Sequence, residues 1–484
     1  GELEKMVICQ KFDIQNMWKR ITDDSKKREK FVEIILIRII YTLLAYLMLN
    51  EQWYVGHGSY GISFNIWKEF VSIVAFVIIT FVYLQLESRN NFTQLMMILI
   101  YTVYFIPVNA SIGLNDCSMF YFLSSHCYIL VLFVFLSFFS KKGKKNTTCT
   151  NAIKAKIKIK VNLFCLALCI GFIIYKISYN GFEFSLSVAS DSVYKTRAAL
   201  QEYLDQISGS LFAYFISILR NLASIVAPFF LLFSLVQKKY LYAFLATMCM
   251  LSLFAVTSGK GNLFVIAVVV VLLICEKRKL LENVENTERI LYLGLLGMLF
   301  LCLLEFLIRG KSTIFTILVR REMYLPAWLN TIYYDYFSVH DKILWSQNTF
   351  ILQNLIQGEY TQSPLEIISQ VYFGGQIPSP NTGMFAEAYM NFGVFGNLIY
   401  PGLLTGLITF SSSVYEKYGS AINILMAVLL LLQLINIPMV RTDFVLSYTL
   451  FTVIMWLLNV DGGVHMLARK IKYNIQKIKI KRKN

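Results

Sequence analysis

The chain is poor in the residues that build metal sites and soluble catalytic motifs. Only four of its 484 residues are histidines, and no His, Cys and carboxylate residues have the spacing of metal ligands. It also contains no Walker A loop, no GxSxG motif and no dinucleotide fingerprint, so soluble-type nucleotide chemistry has no support. We therefore expect no bound metal and no cofactor.

Charged residues are also scarce, at 15% of the chain, whereas 57% is hydrophobic and the mean hydropathy is +0.58. A soluble protein of this length would be far less apolar, so the bilayer is the expected solvent. The nine cysteines are odd in number and lie mostly in apolar segments, where they behave as small apolar residues. They predict no disulfide framework.

The apolar segments recur along almost the whole chain. A hydrocarbon core about 30 Å thick needs roughly 20 helical residues. Segments close to that length predict an all-α, polytopic transmembrane helical bundle of about twelve spans. They lie at 32–49, 68–86, 94–111, 118–139, 161–178, 209–236, 240–257, 262–275, 290–308, 394–413, 421–438 and 445–459.

The basic residues predict the orientation of these spans. Residues 1–31, the 141–160 loop and the tail 460–484 carry eight Lys or Arg each, and the segments on their side hold 32 of the 45 basic residues. By the positive-inside rule, we expect a cytoplasmic N-terminal segment (1–31), a transmembrane domain (32–459) and a basic cytoplasmic tail (460–484). Basic clusters beside spans are typical of topology signals and lipid contacts, so we expect no nucleic-acid partner. We also expect no cleaved signal peptide.

Two of the loops on the opposite, outward side are long: residues 179–208 and 309–393. Both are rich in aromatic residues and contain amphipathic stretches, which favours order over disorder. Apolar residues of the second loop recur at helical spacing, so we expect short helices lying at the outer membrane surface.

Basic residues are rare on the outward side, and several of them are therefore candidates for binding an anion. A guanidinium pairs bidentately with phosphate oxygens, and Lys260 lies in a tight SGKGN hairpin. Arg220, inside a span, must face a cavity or a partner. The alternative for each is a structural ion pair with a nearby carboxylate. The candidates for one phosphate or pyrophosphate pocket are Arg197, Arg220, Lys260, Arg309, Arg320, Arg321 and Arg441.

Outward carboxylates supply the acid–base candidates. Glu387 lies just before a span in MFAEAYMNFG, and we expect it to point freely into a cavity; Asp335 lies in the aromatic run YYDYFS. The alternative is an ordinary solvated carboxylate, or for Glu387 an ion pair with Arg441.

Several of these segments, taken in order, resemble the oligosaccharide repeat-unit polymerases, the Wzy-type polymerases of O-antigen and capsule. They are VYKTRAAL, SGKGNLF, VRREMYLPAWLNTIYYDYFS, NTGMFAEAYMNFGVFGNLIY and MVRTDF. The chain departs from some members in lacking a matching pair of Arg-rich repeats in its two long loops.

The resemblance implies a GT-C-like membrane glycosyltransferase of the bacterial cytoplasmic membrane. Its substrates would be glycans linked to undecaprenyl pyrophosphate, and a flippase and a chain-length regulator would be its partners. Two alternatives stay open: the related O-antigen ligase, and a lipid-linked oligosaccharide flippase or other transporter. A transporter is expected to show repeat symmetry and charges along a midplane passage.

Overall fold

The computed structural model describes residues 24–50, 62–86, 88, 90–140, 151–181, 199–200, 202–203, 206, 210–257, 260–281, 284–347, 349, 352–356, 358–375, 380 and 383–459. The described chain is helical, as the sequence predicts, and contains no strand. The helices, numbered in chain order, are α1 (Ser25–Asn50), α2 (Ile66–Gln85), α3 (Asn91–Leu114), α4 (Met119–Phe139), α5 (Asn151–Asn180), α6 (Leu211–Val236), α7 (Tyr240–Thr257), α8 (Lys260–Lys277), α9 (Val284–Arg309), α10 (Leu325–Val339), α11 (Pro364–Phe373), α12 (Met384–Phe392), α13 (Gly396–Tyr415), α14 (Ser420–Leu434) and α15 (Thr442–Asn459).

Each of the twelve predicted apolar segments coincides with a helix over most of its length. Ten helical stretches in the described residues are long and apolar enough to cross a membrane, which identifies a multi-pass membrane protein. One of the ten, Met384–Tyr418, joins α12 and α13. Of the remaining predicted segments, α8 is a helix outside the ten, and α14 is apolar but shorter than 18 residues.

The chain divides into two compact units. Unit 1 comprises residues 1–141, 283–409 and 431–438, and unit 2 comprises residues 142–282, 410–430 and 439–484. Helix α13 begins in unit 1 and ends in unit 2, and α14 runs from unit 2 into unit 1.

Helix α3 is the core of unit 1. Its most apolar stretch is 94% buried, against only 17% for α9 of the same unit. Large apolar side chains such as Phe300 and Leu301 on α9 are exposed, as expected for a surface that faces lipid. The middle of α3, Ile100–Phe105, is a π-helical segment, a distortion frequently found at functional sites.

The predicted loop 309–393 contains several short helices, all in unit 1. A π-helical segment, Phe315–Tyr324, continues directly into α10, and α11 starts at a capping box formed by Ser363 and Glu366. Helix α12 ends at Phe392 and is capped by Gly393, whose φ of +56° suits glycine; α13 begins three residues later. This local break places the start of α13 against α12.

Unit 2 is built around α6. Helices α5, α7 and α8 pack against α6, as does the start of α15. Aromatic side chains fill this core; Phe229 of α6 lies 5.2 Å, ring centroid to ring centroid, from Phe451 of α15.

Candidate functional site

Glu387 lies on α12 and is almost completely buried, with 2% of its surface exposed. Its carboxylate Oε1 accepts a hydrogen bond of 3.2 Å from the hydroxyl of Tyr400, one turn into α13. The carboxylate is therefore held by a hydrogen bond rather than free, and its role as a proton acceptor stays a prediction. Asn391, four residues later on the same helix face, also bonds to Tyr400, because positions i and i+4 of a helix are neighbours.

The Tyr400 hydroxyl is the centre of a small polar cluster. It accepts hydrogen bonds from Trp345 Nε1 at 2.8 Å and Asn391 Nδ2 at 3.1 Å, which leaves its own proton for Glu387. Asn391 Oδ1 in turn accepts from the backbone N–H of Trp345 at 2.9 Å. We call Glu387, Asn391, Tyr400 and Trp345 the Glu387 cluster.

The backbone at Trp345 is strained. Leu344 and Trp345 have φ values of +51° and +63°, in the left-handed region that non-glycine residues rarely adopt. Each such residue costs about 1–3 kcal/mol and persists only where its surroundings hold it, commonly at functional sites. Here the hydrogen bonds from Trp345 to Asn391 and to Tyr400 hold that conformation.

The beginning of α12 is fixed to α3 and α10. The Tyr104 hydroxyl accepts from the Phe385 N–H at 2.9 Å and from Asn330 Nδ2 at 2.9 Å, and Asn330 Oδ1 accepts from the Ala386 N–H at 3.2 Å. These bonds satisfy N–H groups of the first helical turn that otherwise lack partners. The helix that carries Glu387 is therefore anchored at its start by side chains and at its end by the cluster.

Lys342 joins the end of α10 to α12. Its Nζ donates to the carbonyl oxygens of Phe337 and of His340, the latter at 3.2 Å, and lies 5.3 Å from the ring centroid of Tyr389. Burial lowers the pKa of Lys342, and neighbouring Asp341 opposes that shift.

Asp335, the second acid–base candidate, is exposed on α10. Loss of water around the carboxyl raises its pKa. Its charge also acts on the phenol of Tyr372 on α11, so Asp335 lies close to that helix. Its neighbour Tyr334 instead packs on Tyr389 of α12, with ring centroids 4.4 Å apart.

Arg309 has a carboxylate partner. Its Nη1 lies 3.5 Å from the carboxylate of Glu305, four residues earlier at the end of α9. Glu305 also accepts from the Ser312 hydroxyl at 2.8 Å and from the Ile314 N–H at 3.2 Å. The ion-pair alternative therefore describes Arg309, although its side chain is 66% exposed and the pair is correspondingly weak.

Arg320 and Arg321 lie next to each other in the π-helical segment. The Nε of Arg320 donates to the Thr316 carbonyl oxygen at 3.2 Å, and the Nε of Arg321 lies 3.6 Å from Glu322. Burial raises the pKa of Glu322, while Asn436 Nδ2, at 2.9 Å from its carboxylate, and Arg321 act in the opposite direction.

In unit 2, Arg441 pairs with a carboxylate that also contacts α6. Arg441 Nη2 lies 3.1 Å from Asp443 at the start of α15, and Asn221 Nδ2 donates to the other Asp443 oxygen at 3.4 Å. Asn221 follows Arg220 directly on α6, and Arg220 is half-buried. The ion-pair alternative therefore describes Arg441.

The two remaining predicted contacts cannot be placed. Arg197 lies outside the described residues, as does most of the predicted loop 179–208. Lys260 is the first residue of α8, but its side chain is not among those that the structure describes.

Sequence reasoning did not identify the partners of Arg38, which belong to a buried polar network of unit 1. Arg38 of α1 is 2% exposed and pairs with Glu69 of α2 at 3.1 Å. Its Nε donates to Asn109 Oδ1 of α3 at 2.8 Å, and Asn109 Nδ2 lies 3.0 Å from His126 Nε2 of α4. The sequence signal was a pair of opposite charges in neighbouring spans. An unpaired charge inside a membrane is costly, so two such charges are expected to pair with each other.

Within the described part of the chain, no group of three or more His, Cys, Asp or Glu side chains could hold a metal ion. No protein-family model, curated protein or solved structure matches the chain.

Proposed function

We propose that the chain is an oligosaccharide repeat-unit polymerase of the bacterial cytoplasmic membrane, with about twelve spans, a GT-C-like architecture and cytoplasmic termini. It extends an O-antigen or capsular glycan that is carried on undecaprenyl pyrophosphate. The ordered motif segments and the positive-inside charge pattern support this proposal. So does the multi-pass helical fold, since an enzyme that acts on lipid-linked substrates is expected to lie in the membrane.

The Glu387 cluster is the observation that carries the proposal. In the reaction, an acceptor hydroxyl attacks the anomeric carbon of the donor, the bond from that carbon to the pyrophosphate oxygen breaks, and undecaprenyl pyrophosphate leaves. The proposed acceptor of the hydroxyl proton is the carboxylate of Glu387, which the substrate can reach only by displacing the packing that buries it. A general base of this kind contributes about 10²- to 10⁴-fold to the rate. The bond from Tyr400 and the anchored α12 hold Glu387 in one orientation, as such a role requires.

The departing pyrophosphate gains negative charge, which positioned cations stabilise. In unit 1 the candidates are Arg309, Arg320 and Arg321; in unit 2 they are Arg197, Arg220, Lys260 and Arg441. Alanine substitution of a contact that acts in the transition state lowers turnover by about 10²- to 10³-fold. Scanning the two groups separately identifies which unit binds the leaving group.

Deletion of the gene in its native host, followed by glycan analysis, tests the assignment. Single repeat units on the carrier lipid at the outer face are expected for loss of a polymerase. Long glycan left on its carrier lipid would identify a ligase. Single repeat units retained at the cytoplasmic face would identify a flippase, and either of these outcomes would reject the polymerase.

A further inference from the structure

A groove of ≈ 300 Å³ opens between α10, residues 359–362 and α11 in unit 1. Its lining includes Tyr336, Glu359, Tyr360, Gln362 and Gln370. The volume is at the lower end of that of small-molecule sites, which are about 300–1,000 Å³. The groove lies apart from the residues of the Glu387 cluster, none of which lines it.

The two tyrosines of the groove are held in fixed orientations. The Tyr360 hydroxyl donates to the Asp341 carbonyl oxygen at 2.7 Å, and its ring meets the Phe337 ring edge to face at 6.2 Å. The Tyr336 ring stacks on His340 at 3.9 Å with an interplanar angle of 6°. Both rings are half-buried, so each offers its remaining exposed surface to the groove.

The polar side chains of the groove select against an anionic ligand. No Lys or Arg is among its lining residues, and Glu359 brings a negative charge. Gln362 and Gln370 are exposed, and their amides offer both donors and acceptors. Fixed aromatic rings beside amide and carboxylate groups match a ligand with apolar ring faces and a rim of hydroxyl groups.

We propose that this groove binds uncharged pyranose rings of the glycan chain, as a subsite separate from the reacting centre. This inference rests on the proposed function, since it assigns the groove to that enzyme's own substrate. The rings of Tyr336 and Tyr360 would contact the apolar sugar faces, and the carboxylate and the two amides would bond to the hydroxyl groups.

Site-specific photo-crosslinking in the native host tests the proposal whichever sugars make up the glycan. A benzophenone amino acid replaces Gln370, which lines the groove. The control replaces Gln353, another exposed glutamine of the same 309–393 segment, which does not line the groove. After irradiation, the purified full-length chain is stained for glycan and its crosslinked peptides are analysed by mass spectrometry.

We expect a glycan adduct at position 370 and none at position 353. Tyr336→Leu should lower the yield of the glycan adduct at position 370 by about fivefold, the loss expected for one aromatic contact. Tyr372→Leu, on α11 but not among the lining residues, should leave that yield unchanged. Gln362→Ala, at an exposed position, should lower the yield without disturbing the fold. Absence of an adduct at position 370, equal adducts at both positions, or an adduct carried on acidic sugars would overturn the subsite.

The two proposals fail separately. A groove-specific adduct in a host whose deletion strain still polymerises its glycan would retain the glycan site and reject the polymerase. Loss of polymerisation on deletion, without an adduct at position 370, would retain the polymerase and reject the groove.

Discussion

The chemistry of a carboxylate depends on what surrounds it, and Glu387 and Asp335 differ sharply in this respect. Glu387 is 2% exposed and bonded to Tyr400, whereas Asp335 is exposed on α10. A buried carboxylate in one orientation suits proton transfer at a defined atom. Asp335, although exposed as a residue, has a carboxyl that is partly shielded from water, which raises its pKa.

Glu387→Gln should lower polymerisation by about 10²- to 10⁴-fold while binding of lipid-linked substrate persists, because the amide keeps the shape but not the basicity. Tyr400→Phe should also lower activity, since it removes the donor to Glu387 and leaves Trp345 Nε1 without its acceptor. Turnover and substrate binding are measured on the purified protein in lipid nanodiscs.

Asp341→Asn, an exposed change in the same segment, is the matched control and should retain full turnover. Full activity of the purified Glu387→Gln protein would remove Glu387 from the mechanism. Asp335→Asn would then be the next variant to assay.

The raised pKa of Asp335 predicts a pH-dependent stability. A carboxyl whose pKa is higher in the folded than in the unfolded state destabilises the fold once both states are ionised, and this penalty disappears at acid pH. Asp335→Asn should therefore melt at a higher temperature than the natural chain at neutral pH, with the difference shrinking on acidification.

Asp116 supplies a control of the opposite sign. Hydrogen bonds from Lys68 and Asn65 lower its pKa, so Asp116→Asn should destabilise the protein at neutral pH and have little effect at acid pH. Both shifts are measured by thermal denaturation in detergent. If both variants shifted the melting temperature in the same direction at neutral pH, the opposite pKa shifts of Asp335 and Asp116 would be contradicted.

Glu387 could be selected from the sequence because an acidic residue at the start of an apolar segment is unusual. Its partners could not. Asn391 and Tyr400 lie in the same quoted segment, but a bond between them requires the break at Gly393, which sets the angle between two helices. Trp345 is more than forty positions away and reaches the cluster through a positive φ that no local pattern predicts.

At the scale of helices, the contact of α12 with α13 positions the Glu387 cluster. A side chain at Gly396 would place its Cβ 2.2 Å from the carbonyl oxygen of Ala388, far inside contact distance. Gly396→Ala should therefore push α13 away from α12 and lower activity by separating Tyr400 from Glu387. Overpacking of this kind typically costs about 1–3 kcal/mol.

Gly406→Ala is the matched control, because it lies on the same helix with no atom within 4 Å of the added Cβ. Alanine also favours a helix over glycine, so Gly406→Ala should be neutral or stabilising. Activity and melting temperature are compared for both variants. Equal activity of Gly396→Ala and the natural chain would show that α12 and α13 tolerate separation.

The ion pair of Arg38 and Glu69 joins three helices of unit 1, since Arg38 also bonds to Asn109. Arg38→Met leaves a buried carboxylate without a partner and should cost about 3–5 kcal/mol, measured as a large drop in the temperature of unfolding in detergent. The double variant Arg38→Met, Glu69→Leu should recover much of that loss, because no unpaired charge remains buried.

Lys26→Met breaks an exposed pair with Glu285 and serves as the control, with an expected change near zero. An unchanged melting temperature for Arg38→Met would mean that the network contributes nothing to the packing of these helices.

Helix positions were largely predictable because an apolar run of about 20 residues has few other stable forms in a membrane. Helix ends were less predictable. The predicted span 161–178 lies inside a helix of 30 residues, Asn151–Asn180, because the lysine-rich run before it continues the same helix. Lysine and alanine are good helix formers, but a prediction from hydropathy alone does not count a lysine-rich run as helix.

At the scale of the whole molecule, the side of the membrane that each segment faces decides which residues can reach an outward substrate. The charge asymmetry predicts that residues 309–393, with the groove and Glu387, face outward, and that residues 276–289 face the cytoplasm. In a variant without the nine native cysteines, Ser338→Cys should react with a membrane-impermeant thiol reagent in intact cells. Arg278→Cys should react only after permeabilisation. Both positions are exposed, so a difference in labelling reports sidedness rather than burial. The reverse pattern would place the groove and Glu387 on the cytoplasmic side, where a lipid-linked glycan already moved across the membrane could not reach them.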